Sequence, residues 1–173
     1  MRADLSERTS DVPEDAADIL SAVVLYEDFT TAVRAMRLLA RVCREGEKRL
    51  PMNAEVWNFI VLGIEPYRRA ALESAWSADL MVVAAHAADP LPGEVESWLD
   101  TWASSDRGEE VALIGLLDGN SAEVPSSVQL VLASAARRAG ANLFACNVGD
   151  SDPPPANRLS QCSVGVKHWG INE

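Results

Sequence analysis

The stretch that decides the fold is Ala22-Val23-Val24-Leu25-Tyr26-Glu27-Asp28, an apolar run that ends in an acidic pair and leads directly into a helical pattern. A continuous apolar run of this kind is typical of a strand that is covered on both faces of a sheet. In open sheets of parallel strands, ligands bind at the carboxyl ends of the strands. The acidic pair therefore marks the end of the first strand as a candidate site.

Apolar runs and helical patterns alternate outward from this stretch through residues 20–148. Strands are predicted at about 20–26, 55–61, 80–85, 111–117 and 142–146, and helices at about 30–46, 66–77, 92–104 and 125–140. Short strands separated by helices indicate an α/β domain with right-handed crossovers. We predict a flavodoxin-like, doubly wound sheet of five parallel strands in the order 2-1-3-4-5, with helices on both faces.

The two ends of the chain differ from this periodic body. Residues 1–19 carry six acidic residues against Arg2 and Arg8, and we expect them to form a flexible arm. Residues 149–173 include Pro153-Pro154-Pro155, which cannot continue a helix or a sheet, and we expect an extended tail. The expected organisation is one α/β domain, residues 20–148, between two terminal segments.

The composition excludes several classes of function. The 173 residues are 48% hydrophobic and carry a net charge of −11, so the chain can bury a core while its acidic surface repels nucleic acids and anionic membranes. No segment reaches the roughly 18 apolar residues of a membrane span, and residues 1–19 lack the apolar core of an export signal. The cysteines Cys43, Cys146 and Cys162 have no metal-ligand spacing, so we expect reduced thiols in a cytoplasmic protein.

Four polar residues are expected to meet at one edge of the sheet. Glu27 and Asp28 follow the first strand, His86 the third and Asp118 the fourth, and these strands are neighbours in the predicted order. The three carboxylates could bind Mg²⁺, and His86 could act as a catalytic base. Alternatively, Glu27 and Asp28 cap the first helix, His86 is an ordinary loop histidine and Asp118 begins a turn.

No cofactor is firmly implied by the sequence. A Gly-rich dinucleotide fingerprint and a phosphate loop with Lys-Ser/Thr are both missing. The segment Glu27-Asp28-Phe29-Thr30-Thr31 has the threonine content of a flavodoxin phosphate loop, but its two carboxylates should repel a flavin phosphate. The one cofactor that the sequence suggests is Mg²⁺, through the carboxylates Glu27, Asp28 and Asp118.

Residues 20–148 resemble the receiver domains of response regulators. Glu27-Asp28 is similar to the acidic pair of that family, residues 78–83 resemble the strand that leads to the phosphorylated aspartate, and residues 139–144 resemble the approach to strand 5. The acceptor itself is missing, because Ala84 and Ala85 occupy the region where it would fall. The resemblance implies a degenerate receiver that acts without phosphorylation.

Two further positions of the receiver family also differ, since Asn147 stands where receivers have a lysine and Asp118 where they have Ser or Thr.

A second resemblance, through Tyr26-Glu27-Asp28, the Trp57 strand and His86, is to a family of small uncharacterised bacterial proteins. It implies the same α/β body and no particular activity.

A basic stripe lies along one face of the first predicted helix. It consists of residues at three- and four-residue spacing, namely Arg34, Arg37, Arg41, Arg44 and Lys48. The opposite face carries the residues expected to pack on the sheet, namely Ala32, Met36, Leu39 and Cys43. The stripe could bind an acidic protein partner or a second copy of the chain, or it could be an ordinary solvated face. Trp169 could anchor the tail on a partner, or the tail could simply fray.

Two functions remain open. We favour a non-catalytic, receiver-like signalling or protein-interaction module, because the receiver chemistry and the cofactor motifs are missing. The alternative is a small divalent-metal-dependent enzyme, a hydrolase or a phosphoryl-handling protein. In that enzyme Glu27, Asp28 and Asp118 would be the metal ligands and His86 the base.

Overall fold

The computed structural model describes residues 19–45, 51–105, 111–119 and 124–148, which form a five-stranded sheet and the helices that pack on it. The strands are β1 (Leu20–Tyr26), β2 (Met52–Asn58), β3 (Leu80–His86), β4 (Ala112–Asp118) and β5 (Asn142–Val148). The α-helices are α1 (Phe29–Glu45), α2 (Glu65–Ser77), α3 (Gly93–Trp102) and α4 (Ser127–Ala139), and a 3₁₀ helix spans Phe59–Gly63. The strands are parallel in the order β2-β1-β3-β4-β5, which confirms the predicted fold class and strand order.

The sheet separates two hydrophobic clusters. Because successive side chains of a strand point to opposite faces, Val23 and Leu25 of β1 pack with α2, α3 and α4, whereas Ala22 and Val24 pack with α1. All residues of β3 from Leu80 to Ala85 are buried, as expected for a strand covered on both faces. Helices therefore lie on both faces of the sheet, with α1 on one face and α2, α3 and α4 on the other.

Strand β2 begins and ends three residues earlier than the predicted 55–61. Phe59, which the sequence assigns to the strand, leaves the sheet edge and is buried together with Leu62 in the 3₁₀ helix. Asn58 begins that helix, since its side chain accepts a hydrogen bond from the N–H of Ile60. Phe59 and Leu62 therefore contribute to the core from a helical turn and not from a strand.

The buried face of α1 also differs from the prediction. Thr31 is 2% exposed, and the positions that follow it on the same side of the helix, Ala35, Leu38 and Leu39, are buried against the sheet. Met36, expected in the packing stripe, is 42% exposed. The rotation of the helix is set by its first turn, where Thr31 is held against Asp28.

Several expectations lie outside the described residues. These include the arm as far as residue 18, the tail at 149–173 with Trp169 and Cys162, and Lys48. Among the helices that the structure describes, none combines the length and the apolar character that a membrane crossing requires.

Candidate functional site

His86 lies between two aspartates at the carboxyl edge of the sheet. Its Nδ1 atom is 2.7 Å from Oδ1 of Asp118, and its Nε2 atom is 2.9 Å from Oδ2 of Asp28. His86 and Asp118 are the last register pair of β3 and β4, and Asp28 is the second residue after the end of β1. The structure thus brings these three residues together from three neighbouring strands, and we call them, with Glu27 and Arg34, the rim cluster.

Glu27 connects the ends of three strands. Its carboxylate accepts a hydrogen bond from the backbone N–H of His86 at 2.8 Å, and its backbone N–H donates to the carbonyl of Ala84 at 3.1 Å. The carbonyl of Glu27 accepts from the side-chain amide of Asn58, at the end of β2, at 3.2 Å. Glu27 therefore fixes the positions of β1, β2 and β3 relative to one another at the rim.

Asp28 both caps α1 and contacts His86. Its Oδ1 atom accepts from the N–H of Thr31 at 2.9 Å, while its own N–H donates to the hydroxyl oxygen of Thr31 at 3.0 Å. The Thr31 hydroxyl in turn donates to the carbonyl of Asp28 at 2.9 Å. The capping alternative thus describes Asp28, and the same carboxylate uses its second oxygen for the rim.

Arg34 belongs to the rim cluster. Its Nη1 atom donates to Oδ2 of Asp118, and the two side chains are 22% and 19% exposed. Of the other basic residues predicted for partner binding, Arg37 and Arg44 are exposed on the outer side of α1, and Arg41 is half-buried. The predicted stripe is therefore divided between the rim and the outer face of the helix.

Three of these rim contacts escape the sequence analysis, namely those of Arg34, Thr31 and Asn58. The contact of Thr31 has a local signal, because Asp28 and Thr31 have the spacing of a reciprocal N-terminal cap. Arg34 and Asn58 have no comparable signal, since their partners lie 84 and 31 residues away in the chain.

The electrostatics of the cluster favour a protonated His86. Hydrogen bonds to Asp28, and then to Asp118, raise the pKa of His86 above its ordinary value of 6.5. The hydrogen bond from His86, followed by that from the N–H of Thr31, lowers the pKa of Asp28 to about 2. With His86 protonated, three carboxylates face two cations, so the cluster keeps one negative charge in excess.

The carboxylates of the rim bind protein groups. Among the described residues, no set of three or more His, Cys, Asp and Glu side chains is arranged to hold a metal ion. The His86 ring separates Asp28 from Asp118, and the Glu27 carboxylate is directed at a backbone N–H. In this structure the three carboxylates act as hydrogen-bond acceptors. Their role as metal ligands stays a prediction. The role of His86 as a base stays a prediction.

Comparison with known proteins identifies the fold. No protein-family model and no curated protein matches the sequence. A short-chain flavodoxin associated with a bacterial microcompartment matches with a TM-score of 0.53 and 19% identity, over 86% of this chain and 97% of its own. An oxidoreductase from Corynebacterium diphtheriae matches with a TM-score of 0.56 and 13% identity, over 86% of this chain and 92% of its own. An NADH:FMN oxidoreductase in its apo form matches with a TM-score of 0.52 and 16% identity, over 86% of this chain and 87% of its own.

The cofactor expectation is corrected by these matches. The names flavodoxin and NADH:FMN oxidoreductase point to a flavin as the cofactor associated with this architecture, so the expectation of Mg²⁺ or of no firm cofactor is wrong. The receiver part of the resemblance stays a prediction, and at these identities the matches establish one property, which is that the chain has a flavodoxin-like α/β fold.

Proposed function

We propose that the rim of the sheet binds the ring system of a flavin. In sheets with this strand order, the flavin site lies at the switch point between β1 and β3. The contact between Asp28 and His86 stands at that point. The solved structures named as a flavodoxin and as an NADH:FMN oxidoreductase support this choice of ligand class.

The observation that carries the proposal is the exposure of large apolar side chains at this edge. Phe29, the first residue of α1, is 81% exposed, and Ile60, two residues after β2, is 79% exposed. Asn58 connects the segment before Phe29 to the segment that carries Ile60. Its side-chain amide donates to the carbonyl of Glu27, and its side-chain oxygen accepts from the N–H of Ile60. Exposed apolar residues beside fixed polar groups are typical of a ligand site, and a flat heteroaromatic ring can stack on a phenylalanine.

The rim cluster would form the rigid polar wall of this site. Both ring nitrogens of His86 are bonded to carboxylates, and Arg34 holds Asp118 from the other side. Polar groups that are already held in place lose little conformational entropy when a ligand binds. We therefore assign binding of the ring to the apolar residues and its orientation to the polar ones.

Titration of the protein with riboflavin and with FMN tests the proposal. Flavin absorbance and fluorescence should change saturably with protein concentration, and Phe29→Ala should weaken binding by roughly tenfold, the effect of about 1.4 kcal/mol. Ile19→Ala is the matched control, because Ile19 is 62% exposed and precedes β1 at the opposite edge of the sheet. Absence of saturable binding for both flavins, or equal affinity of Phe29→Ala and the wild type, would contradict the proposal.

A second candidate is the protein-interaction module predicted from the sequence. The outer side of α1 exposes Met36, Arg37, Ala40 and Arg44, which combine apolar and basic character on one helix. Such a surface fits an acidic protein segment or a second, acidic copy of this chain.

Charge reversal separates this candidate from flavin binding. The double variant Arg37→Glu/Arg44→Glu should abolish binding of a fluorescent polyglutamate peptide and any self-association seen by sedimentation. Arg137→Glu is the control, because Arg137 is exposed on α4, on the other face of the sheet. A wild-type protein that is monomeric and does not bind the peptide would contradict this candidate.

A further inference from the structure

We infer that Asp28 occupies the place of a ligand phosphate, so that the rim accepts a flavin without a phosphate, of the riboflavin class, in preference to FMN. The inference rests on the flavin site proposed above. It concerns the part of the ligand that lies next to the first turn of α1.

The backbone N–H of Asp28 and both donors of Thr31 at this helix start are used within the chain. A helix that follows the first strand of such a sheet binds phosphate through unpaired N–H groups and the positive end of its dipole. In α1, the N–H of Thr31 donates to the Asp28 carboxylate and the Thr31 hydroxyl donates to the Asp28 carbonyl, both at 2.9 Å. Because Thr31 is 2% exposed, its hydroxyl is also out of reach of a ligand.

The charge at the helix start opposes a second anion. A phosphate monoester carries about −1.5 to −2 at neutral pH. Asp28 keeps its charge down to a pKa of about 2, and Glu27 precedes it directly. The nearby cations offset this charge only in part, because Arg34 is bonded to Asp118 and His86 is shared between Asp28 and Asp118. A phosphate placed here would face a cluster that is already negative in total.

A neutral polyhydroxyl chain suits the same position. Asp28 is 48% exposed and its carboxylate oxygens can accept hydrogen bonds from hydroxyl groups. The ribityl chain of riboflavin supplies such hydroxyls without a charge. The two ligands share the same ring, so the difference between their affinities measures the effect of the phosphate alone.

The test compares the dissociation constants of riboflavin and FMN for the wild type, Asp28→Asn and Glu73→Gln. The wild type should bind riboflavin roughly tenfold more tightly than FMN, and added salt should narrow this ratio by screening the repulsion. Asn can still cap a helix, so Asp28→Asn should keep the fold and reduce the ratio by gaining affinity for FMN. Glu73→Gln removes one negative charge from the exposed side of α2 and should leave the ratio unchanged. Glu27→Gln provides a second reduction of charge at the rim if Asp28→Asn fails to fold.

The outcomes separate this inference from the proposed function. Tighter binding of FMN than of riboflavin by the wild type would overturn the inference and leave the flavin site standing. A ratio that is the same in the wild type, Asp28→Asn and Glu27→Gln would overturn the assignment to the acidic pair. Binding of neither flavin would overturn the proposed function, and this inference with it.

Discussion

The Nδ1 atom of His86 lies 2.7 Å from Oδ1 of Asp118, its register partner at the end of the neighbouring strand. The other ring nitrogen lies 2.9 Å from Asp28, which follows β1. A neutral imidazole has one N–H, whereas the protonated ring has two. His86 can therefore donate to both aspartates, and connect the ends of β1 and β4, when it carries its additional proton.

We expect the free energy of unfolding to fall as the pH rises through the pKa of His86. Hydrogen bonds to Asp28 and Asp118 raise this pKa above its ordinary value of 6.5. A group whose pKa is raised in the folded state stabilises the fold fully below its unfolded pKa, and this contribution is lost as the pH rises through the folded pKa. Urea unfolding from about pH 6 to about pH 9 should show the decline, and His86→Gln should remove it.

Proton NMR can check the same prediction at the level of the single residue. The chain has two histidines, so the ring resonance that disappears in His86→Gln belongs to His86. Its titration midpoint should lie above 6.5. A midpoint at or below that of a free histidine would show that the two carboxylates do not hold the protonated ring.

Asp28→Ala should lower the free energy of unfolding by about 1 kcal/mol more than Asp28→Asn does, because Asn retains the cap of α1 and Ala does not.

The wild type should also lose, in acid, the larger free energy of unfolding that it has over Asp28→Asn at neutral pH. The folded pKa of Asp28 is lowered from 3.8 to about 2, so its contribution is present above about pH 4 and is lost as the pH falls toward 2. Urea unfolding at neutral pH and in acid measures both effects. Equal free energies of unfolding of Asp28→Ala and Asp28→Asn at neutral pH would show that the cap contributes nothing.

The strand order could be predicted because the central strands are buried on both faces. Residues 22–25 of β1 and 80–85 of β3 are continuous apolar runs, and such runs occur where helices cover both sides of a sheet. The sequence places β2 three residues too late because this strand lies at the sheet edge and mixes half-buried and exposed residues. The apolar residues Phe59 to Leu62, which follow β2, belong to a 3₁₀ helix.

The rim could be predicted as a location but not as a set of contacts. Strand ends place Glu27, Asp28, His86 and Asp118 at one edge, and this follows from topology. Which carboxylate contacts which partner depends on register, because β3 extends to His86 and so pairs it with Asp118. The contact between Arg34 and Asp118 also depends on how α1 is rotated, which its first turn decides.

Gly115→Ala should destabilise the protein by about 1 to 3 kcal/mol, the usual cost of overpacking a core. A Cβ atom at this position of β4 would lie 2.8 Å from Cδ1 of Leu132, which is buried on α4. The cost should shrink in a Leu132→Val background, where that methyl is missing, and a double-mutant cycle in urea measures the difference. Gly93→Ala is the control, because a Cβ there meets nothing within 4 Å. An identical cost in both backgrounds would locate the strain elsewhere.

Arg34→Gln should raise the pKa of His86 further, because the guanidinium now bonded to Asp118 would no longer offset that carboxylate. The same change should cost about 1 kcal/mol of stability, as expected for the loss of one charge-assisted hydrogen bond in a half-buried ion pair. Arg37→Gln is the matched control, since Arg37 lies on the outer side of the same helix and is exposed. NMR titration of His86 in both variants distinguishes a rim residue from a member of a binding stripe. If both substitutions left the His86 midpoint unchanged, Arg34 would have no electrostatic role in the rim cluster, and its assignment to a partner-binding face would regain support.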